Sequence, residues 1–280
     1  MSKPRERTPP GHRSAGGMEP KHTAMQLETI RRIKNNEPTF GAWIYLKDPA
    51  VTEMIADAGY DWVIVNMEHG NLNEDLAQTL LVPLKGTKCV PIVRVFGKDP
   101  DLIKKVLDTG ALGIMVPQIE TREDAENVVR AVKYPPDGSR AMGYGRAEGW
   151  GQRAESYYKQ ANSITLVILT VESETGIKNI RDIVRVPGVD VVTPGTYDLS
   201  GSLGVPGQFD HPLVVQAKHT LMEACKRQKM TMGTDAETDQ AIRAKLEEGW
   251  RFLAIAEDTH LIWHGAERLL SAASAAINII

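Results

Sequence analysis

Apolar residues along this chain fall into short continuous runs separated by longer stretches with helical spacing. The runs are Gly41–Leu46, Trp62–Val65, Val90–Val95, Gly113–Val116, Thr165–Val171, Val189–Thr193, Met230–Gly233 and Phe252–Ala256, eight in all. Short, wholly apolar runs suit strands buried on both faces, as in a parallel sheet. The stretches between them begin with helix-starting signals. Asp48-Pro49 and Asp99-Pro100 each pair an N-cap with a proline at the first helical position. Thr121 with Asp124 resembles a capping box, with Asp in place of the usual Glu. Asp235 is expected to cap a helix running to about Glu248. Gly59, Gly110 and Gly249 stand where left-handed helix ends belong.

Eight strand–helix units predict a (β/α)8 TIM barrel, an α/β fold. An open doubly wound sheet shares the alternation and remains the alternative at this level. Met1 to about Pro20 is rich in Pro, Gly, Arg and Ser and is expected to be a disordered tail. Residues 21–280 then form a single barrel domain, with an approach segment to about Thr39. Tyr134–Asn162, after the fourth strand, is a long Gly-rich connection of the kind that often serves as a lid. The last helix, about Thr259–Ile277, carries Ile262, Ala266, Leu269, Leu270 and Ala273 on one face and leads to Ile277-Asn278-Ile279-Ile280. That apolar end needs cover from its own barrel or from a neighbouring subunit.

Composition narrows the class without naming a function. Lys and Arg number 33 against 36 Asp and Glu, a formal net charge of −3, which gives no overall field for nucleic acid or an anionic membrane. No apolar run approaches the roughly 20 residues of a membrane span. Two cysteines, Cys89 and Cys225, make no disulfide framework and point to a reducing compartment, so a cytoplasmic location is expected.

In a barrel the reactive groups stand at the C-terminal strand ends. Those ends carry Trp43 and Tyr45, then Asn66-Met67-Glu68-His69-Gly70, Arg94, Pro117-Gln118, Glu172, Gly195-Thr196-Tyr197-Asp198, Asp235 and Glu257-Asp258. Glu172 and Asp198 end adjacent strands. Two bare carboxylates repel, and a divalent cation between them removes that cost. Oxygen-only donors suit Mg²⁺ or Mn²⁺, with Co²⁺ a further candidate. The same acids would also serve as helix caps or rim charges, and spacing leaves both readings open. His69 suits either an acid/base or a hydrogen-bonded loop histidine. Arg94 interrupts an otherwise buried run, so it requires an anionic partner: Glu68, Asp108 or a substrate oxyanion. Asp108, taken alone, reads as a helix-end acid. No P-loop, HExxH, CxxC pair or triad-bearing GxSxG is present, and no Lys interrupts a strand as a Schiff-base lysine would.

Taken together, these residues resemble the HpcH/HpaI aldolase family. The matching segments are Val65-Asn66-Met67-Glu68-His69-Gly70, Pro91-Ile92-Val93-Arg94-Val95, Leu107-Asp108-Thr109-Gly110-Ala111, Gly113-Ile114-Met115-Val116-Pro117, Tyr134-Pro135-Pro136-Asp137-Gly138-Ser139-Arg140, Val171-Glu172-Ser173 and Gly195-Thr196-Tyr197-Asp198-Leu199-Ser200. The resemblance covers roughly Thr39 to Ala275 in one unbroken order. The resemblance implies a class II pyruvate aldolase, a metal-dependent lyase acting on a 2-oxo acid and an aldehyde. It implies Glu172 and Asp198 as metal ligands, Arg94 as enolate stabiliser and His69 as acid/base. It also implies Gly195 and Thr196 as binders of the substrate carboxylate, Trp43 in the pocket wall, and Asp108 on the side of the second substrate. A homo-oligomer that exchanges its last helix, a hexamer built as a trimer of dimers, goes with it. Three residues depart from the family pattern: Asn66 for Asp, Thr170 for Gln and Thr196 for Pro. They leave room for an oxaloacetate-type decarboxylase on the same site, or for a barrel that binds metabolites without turnover.

Overall fold

The computed structural model describes residues 21–277, and the expected disordered tail lies outside them. The chain opens with helix α1 (Lys21–Lys34) and then alternates. Strand β1 (Thr39–Ile44) leads to α2 (Pro49–Asp57), β2 (Trp62–Asn66) to α3 (Glu74–Leu81), and β3 (Val90–Arg94) to α4 (Pro100–Asp108). Strand β4 (Gly113–Val116) is followed by α5 (Arg122–Val132) and α6 (Ala154–Ile164), and β5 (Leu166–Val171) by α7 (Glu174–Ile183). Strand β6 (Val191–Pro194) leads into the short α8 (Thr196–Ser202) and α9 (Pro212–Gln228). Strands β7 (Thr231–Asp235) and β8 (Phe252–Glu257) carry α10 (Asp239–Glu248) and α11 (Asp258–Ile277). The strands pair in parallel and close in the order β1 to β8, which settles the barrel over the open sheet.

The apolar runs become strands because both faces are covered. One set of side chains, including Ile64, Ile92, Ile168 and Val191, fills the barrel interior. The alternate set, including Val63, Val93, Ile114 and Leu169, packs under the helices. The indole of Trp62 stacks on Phe252 across the interior, with ring centroids 3.8 Å apart. Gly41 makes room for it, since a Cβ there would stand 1.9 Å from the indole.

The expected helix starts are present at Asp48, Asp99 and the Thr121–Asp124 capping box. Gly59, Gly110 and Gly249 all take positive φ. One cap differs: Thr238, not Asp235, accepts from the first turn of α10, because β7 continues through Asp235 into the rim. The approach segment forms helix α1 and packs on the barrel. Helix α1 buries Ile30 and Ile33 against the barrel interior, and the Thr231 hydroxyl donates to the Ile33 carbonyl. It plugs the N-terminal end of the barrel.

The Gly-rich stretch after Tyr134 follows α5, not β4. It therefore lies at the end of the barrel opposite the C-terminal strand ends, and no lid over that rim is formed by it in this chain. Helix α11 buries only Asp258 and leaves Leu261, Ile262, Trp263, Leu269 and Leu270 exposed. No helix among the described residues is long and apolar enough to cross a membrane.

Candidate active site

A cavity of about 540 Å³ opens at the C-terminal ends of the strands. Trp43, His69, Arg94, Glu172, Gly195, Thr196 and Asp198 all line it. Asp108 does not. It ends α4 on the other face of the barrel, where its Oδ1 lies 2.7 Å from Nη2 of the fully buried Arg140.

Glu172 is the most constrained acid. It is 6% exposed, and its Oε1 accepts from the Gln118 backbone N–H at 2.7 Å. Gln118 takes a positive φ of 57° to aim that N–H. A non-glycine residue in this region costs of order 1–3 kcal/mol and is typically held there by a site. Burial, then the nearby charges of Glu68 and Asp198, push the Glu172 carboxyl up to about 7 against the Gln118 bond that lowers it. Gly195 packs so tightly on this carboxylate that an added Cβ would stand 2.1 Å from Oε2. Asp198, in the first turn of α8, brings a second carboxylate to the cavity from the solvent side. Two hard oxygen donors, one of them raised by burial and like charge, fit a divalent cation with positions left for ligand and water.

Arg94 ends β3 opposite Asn66 of β2. Its Nε donates to Asn66 Oδ1 at 3.0 Å and lies 3.0 Å from Glu68 Oε2. The anionic partner within the protein is thus Glu68, whose buried Oε2 makes no hydrogen bond and is compensated by this charge. The guanidinium lies 4.8 Å from the Trp43 ring centroid, a cation–π contact. Its Nη groups have no protein acceptor among the described residues, so they remain available to an oxyanion.

Asn66 shapes the corner that holds His69. Its Oδ1 accepts from the backbone N–H of Glu68 and of His69 as well as from Arg94, while its Nδ2 is buried without a partner. His69 is exposed on the rim, with Nε2 at 3.8 Å from Glu68 Oε2. In this chain Asn66 braces the backbone of the loop and makes no contact with the imidazole that would tune it.

Two further groups were not marked as site residues by the sequence. Asp235 lines the cavity and accepts from Trp43 Nε1 at 2.8 Å. Water reaches it, yet protein surrounds it, and that desolvation raises its carboxyl. Glu237, Glu257 and His260 bring ligand-type atoms within 4.8 Å of one another on the rim. His260 is already engaged there, with Nδ1 at 2.9 Å from Glu237 and Nε2 at 3.6 Å from Glu257. Asp235 was hidden because Asp beside a helix reads as a cap. Glu257 was legible as a strand end, but the trio needs the folded rim.

A parallel barrel with carboxylates, an arginine and a histidine gathered at its C-terminal rim is the layout of an enzyme. The chain belongs to the HpcH/HpaI aldolase/citrate lyase family, whose model matches residues 39–265, and it is a lyase. It is 37% identical over 242 residues to a hydroxypyruvate/pyruvate aldolase of Roseobacter denitrificans, covering 84% of this chain and 93% of that one. It is 34% identical over 239 residues to a 4-hydroxy-2-oxo-heptane-1,7-dioate aldolase of Klebsiella pneumoniae, covering 85% and 90%. A crystal structure of a family protein from Burkholderia cenocepacia superposes with a TM-score of 0.85 at 32% identity, covering 89% of this chain and 99% of that one.

Proposed function

We propose that this lyase is a divalent-cation-dependent class II pyruvate aldolase, making or cleaving 4-hydroxy-2-oxo acids by way of the enolate of a 2-oxo acid. The observation that carries this reading is the meeting of Glu172, Asp198 and the unsaturated Arg94 guanidinium in one cavity. Glu172 and Asp198 would hold Mg²⁺ or Mn²⁺, with Co²⁺ admissible, and the bound cation supplies Lewis acidity to the keto group.

The chain's own residues account for the rest. The first-turn N–H groups of α8, from Thr196 onward, have no intrahelical acceptors and suit the carboxylate of the 2-oxo acid. Gly195 is less available, because its N–H already points to the Val171 carbonyl at 3.4 Å. In the cleavage direction the C4 hydroxyl gives up its proton, the C3–C4 bond breaks, C4 departs as the aldehyde carbonyl, and the bond's electrons pass into the enolate, whose charge rests on the C2 oxygen. Arg94 stabilises the charge on that oxygen. His69 takes the hydroxyl proton, directly or through water, from its place on the rim. C3 then takes up a proton and pyruvate leaves. Trp43 closes one wall.

The names of the relatives, hydroxypyruvate/pyruvate aldolase and 4-hydroxy-2-oxo-heptane-1,7-dioate aldolase, support the same pair of small-molecule partners, a 2-oxo acid and an aldehyde. The exposed apolar face of α11 supports a homo-oligomer in which a neighbouring barrel covers it, a hexamer as a trimer of dimers. In that assembly Asp108 would serve the second-substrate side. Two buried free thiols, Cys89 and Cys225, support a cytoplasmic setting. The test is pyruvate release from 4-hydroxy-2-oxo acids. Release that chelation abolishes and Mg²⁺ or Mn²⁺ restores is expected. Release indifferent to chelation, or CO₂ loss from oxaloacetate with no retro-aldol turnover, would contradict the reading.

A further inference from the structure

Asp235 is a charged group in the cavity that the mechanism above leaves without work. Its backbone is fixed by the β7–β8 ladder, where it pairs with Ala254. Its Oδ1 is held by the Trp43 indole at 2.8 Å. Its Oδ2 has no protein donor among the described residues. On the other side β6 pairs with β7 only at Val191–Thr231 and Val192–Met232, so no strand shields Asp235 from that direction. The same indole lies against Arg94, so Asp235 stands one ring away from the group that holds the enolate oxygen. On the aldolase reading the 2-oxo acid takes the Glu172, Asp198 and Arg94 side of the cavity, which leaves the Asp235 side to the aldehyde.

We infer that Asp235 is a specificity-determining residue that selects an aldehyde bearing a hydroxyl group. The inference rests on the aldolase reading and names the class of its second substrate. A hydroxyl can donate to an ionised carboxylate and accept from a protonated one, so it suits Asp235 in either state. A methyl group in the same place would strip water from Oδ2 and offer nothing back. Hydrogen bonds to charged groups contribute about 1.5–3 kcal/mol. At about 1.4 kcal/mol per tenfold, that is roughly 10- to 100-fold in selectivity.

The experiment compares glycolaldehyde with propanal, which replaces the hydroxyl by a methyl, as acceptors for pyruvate. The ratio of their kcat/KM values is measured on one enzyme preparation, so general losses cancel. The wild type is expected to favour glycolaldehyde. Asp235→Leu should collapse that preference by about tenfold or more. Asp235→Ala, which also removes both oxygens, serves as the second variant should leucine not fold. Asp235→Asn, which keeps an oxygen for Trp43 and a neutral polar group for the substrate, should retain part of the preference, between wild type and the leucine variant. An unchanged ratio in the leucine and alanine variants overturns the inference while leaving the aldolase reading standing. So does a preference that follows a terminal carboxylate on the aldehyde, which would place recognition on Lys218, a cavity-lining lysine with no ion pair among the described residues. Wild-type enzyme that adds pyruvate to no aldehyde and exchanges none of its C3 protons overturns both.

Discussion

Replacing Glu172 by Gln should make the metal-free protein more stable, by an amount that grows as pH rises above about 4.5 and levels off above about 7. The folded chain holds this carboxyl at about 7 instead of the ordinary 4.5, mainly because it is buried. The folded state therefore binds the proton more tightly than the unfolded chain does. Its stabilising effect is complete below about 4.5 and is lost as pH rises through about 7. The span of about 2.5 pH units, at roughly 1.4 kcal/mol each, amounts to about 3.5 kcal/mol as an upper figure. A glutamine stays neutral, fits the same space and still accepts from Gln118. Urea denaturation in the presence of a chelator, at pH 5 and pH 8, measures the effect. Wild type should lose up to about 2.5 kcal/mol between the two relative to Glu172→Gln, because at pH 5 part of the effect is already gone. Added Mg²⁺ or Mn²⁺ should return stability to the wild type at pH 8 and not to the variant. Equal pH dependence in the two proteins would refute the idea that Glu172 carries an uncompensated charge awaiting a cation.

Other outcomes follow from the same geometry. Gly195→Ala should abolish turnover, because its Cβ would collide with Glu172 Oε2, and steady-state assay of the purified variant checks this. Arg94→Met leaves the partly buried Glu68 without its charge partner and should cost up to about 3 kcal/mol in chemical denaturation as well as turnover. Asn66→Asp keeps the three accepted hydrogen bonds and removes the unpartnered Nδ2. The carboxylate oxygen that takes its place is as buried and unpartnered, so stability should fall at neutral pH, while the added negative charge should move the acidic limb of the pH–rate profile upward; a superimposable profile would disconnect Asn66 from His69. Leu269→Glu with Leu270→Glu should shrink the assembly in sedimentation velocity without unfolding the barrel.

Much of this fold was legible because the barrel writes itself locally. A strand buried on both faces is a short apolar run, and Asp48, Asp99 and Thr121 mark helix starts by chemistry that acts within three residues. The parts that were not legible depend on contacts far apart in sequence. Helix α1 belongs to no strand–helix unit, and only the barrel interior explains its burial of Ile30 and Ile33. The Gly-rich stretch after Tyr134 reads as a lid until its place after α5 puts it at the far end. In the site, Glu172, Asp198 and Arg94 stood out because charges at strand ends are conspicuous. The partner of Arg94 had to come from the folded corner, since Glu68 and Asp108 were equal candidates on paper. Asp235 stood among the strand ends, but its work was not legible because its neighbour in space is Trp43, nearly the whole barrel away in sequence.

Exchange of the C3 protons of pyruvate in D₂O, followed by NMR, tests the central claim most directly, because it reports enolate formation without any aldehyde. Exchange is expected with Mg²⁺ or Mn²⁺, should vanish on chelation, and should be lost in Asp198→Ala with the fold intact. No exchange with any divalent cation, or full exchange in Asp198→Ala, would contradict the account.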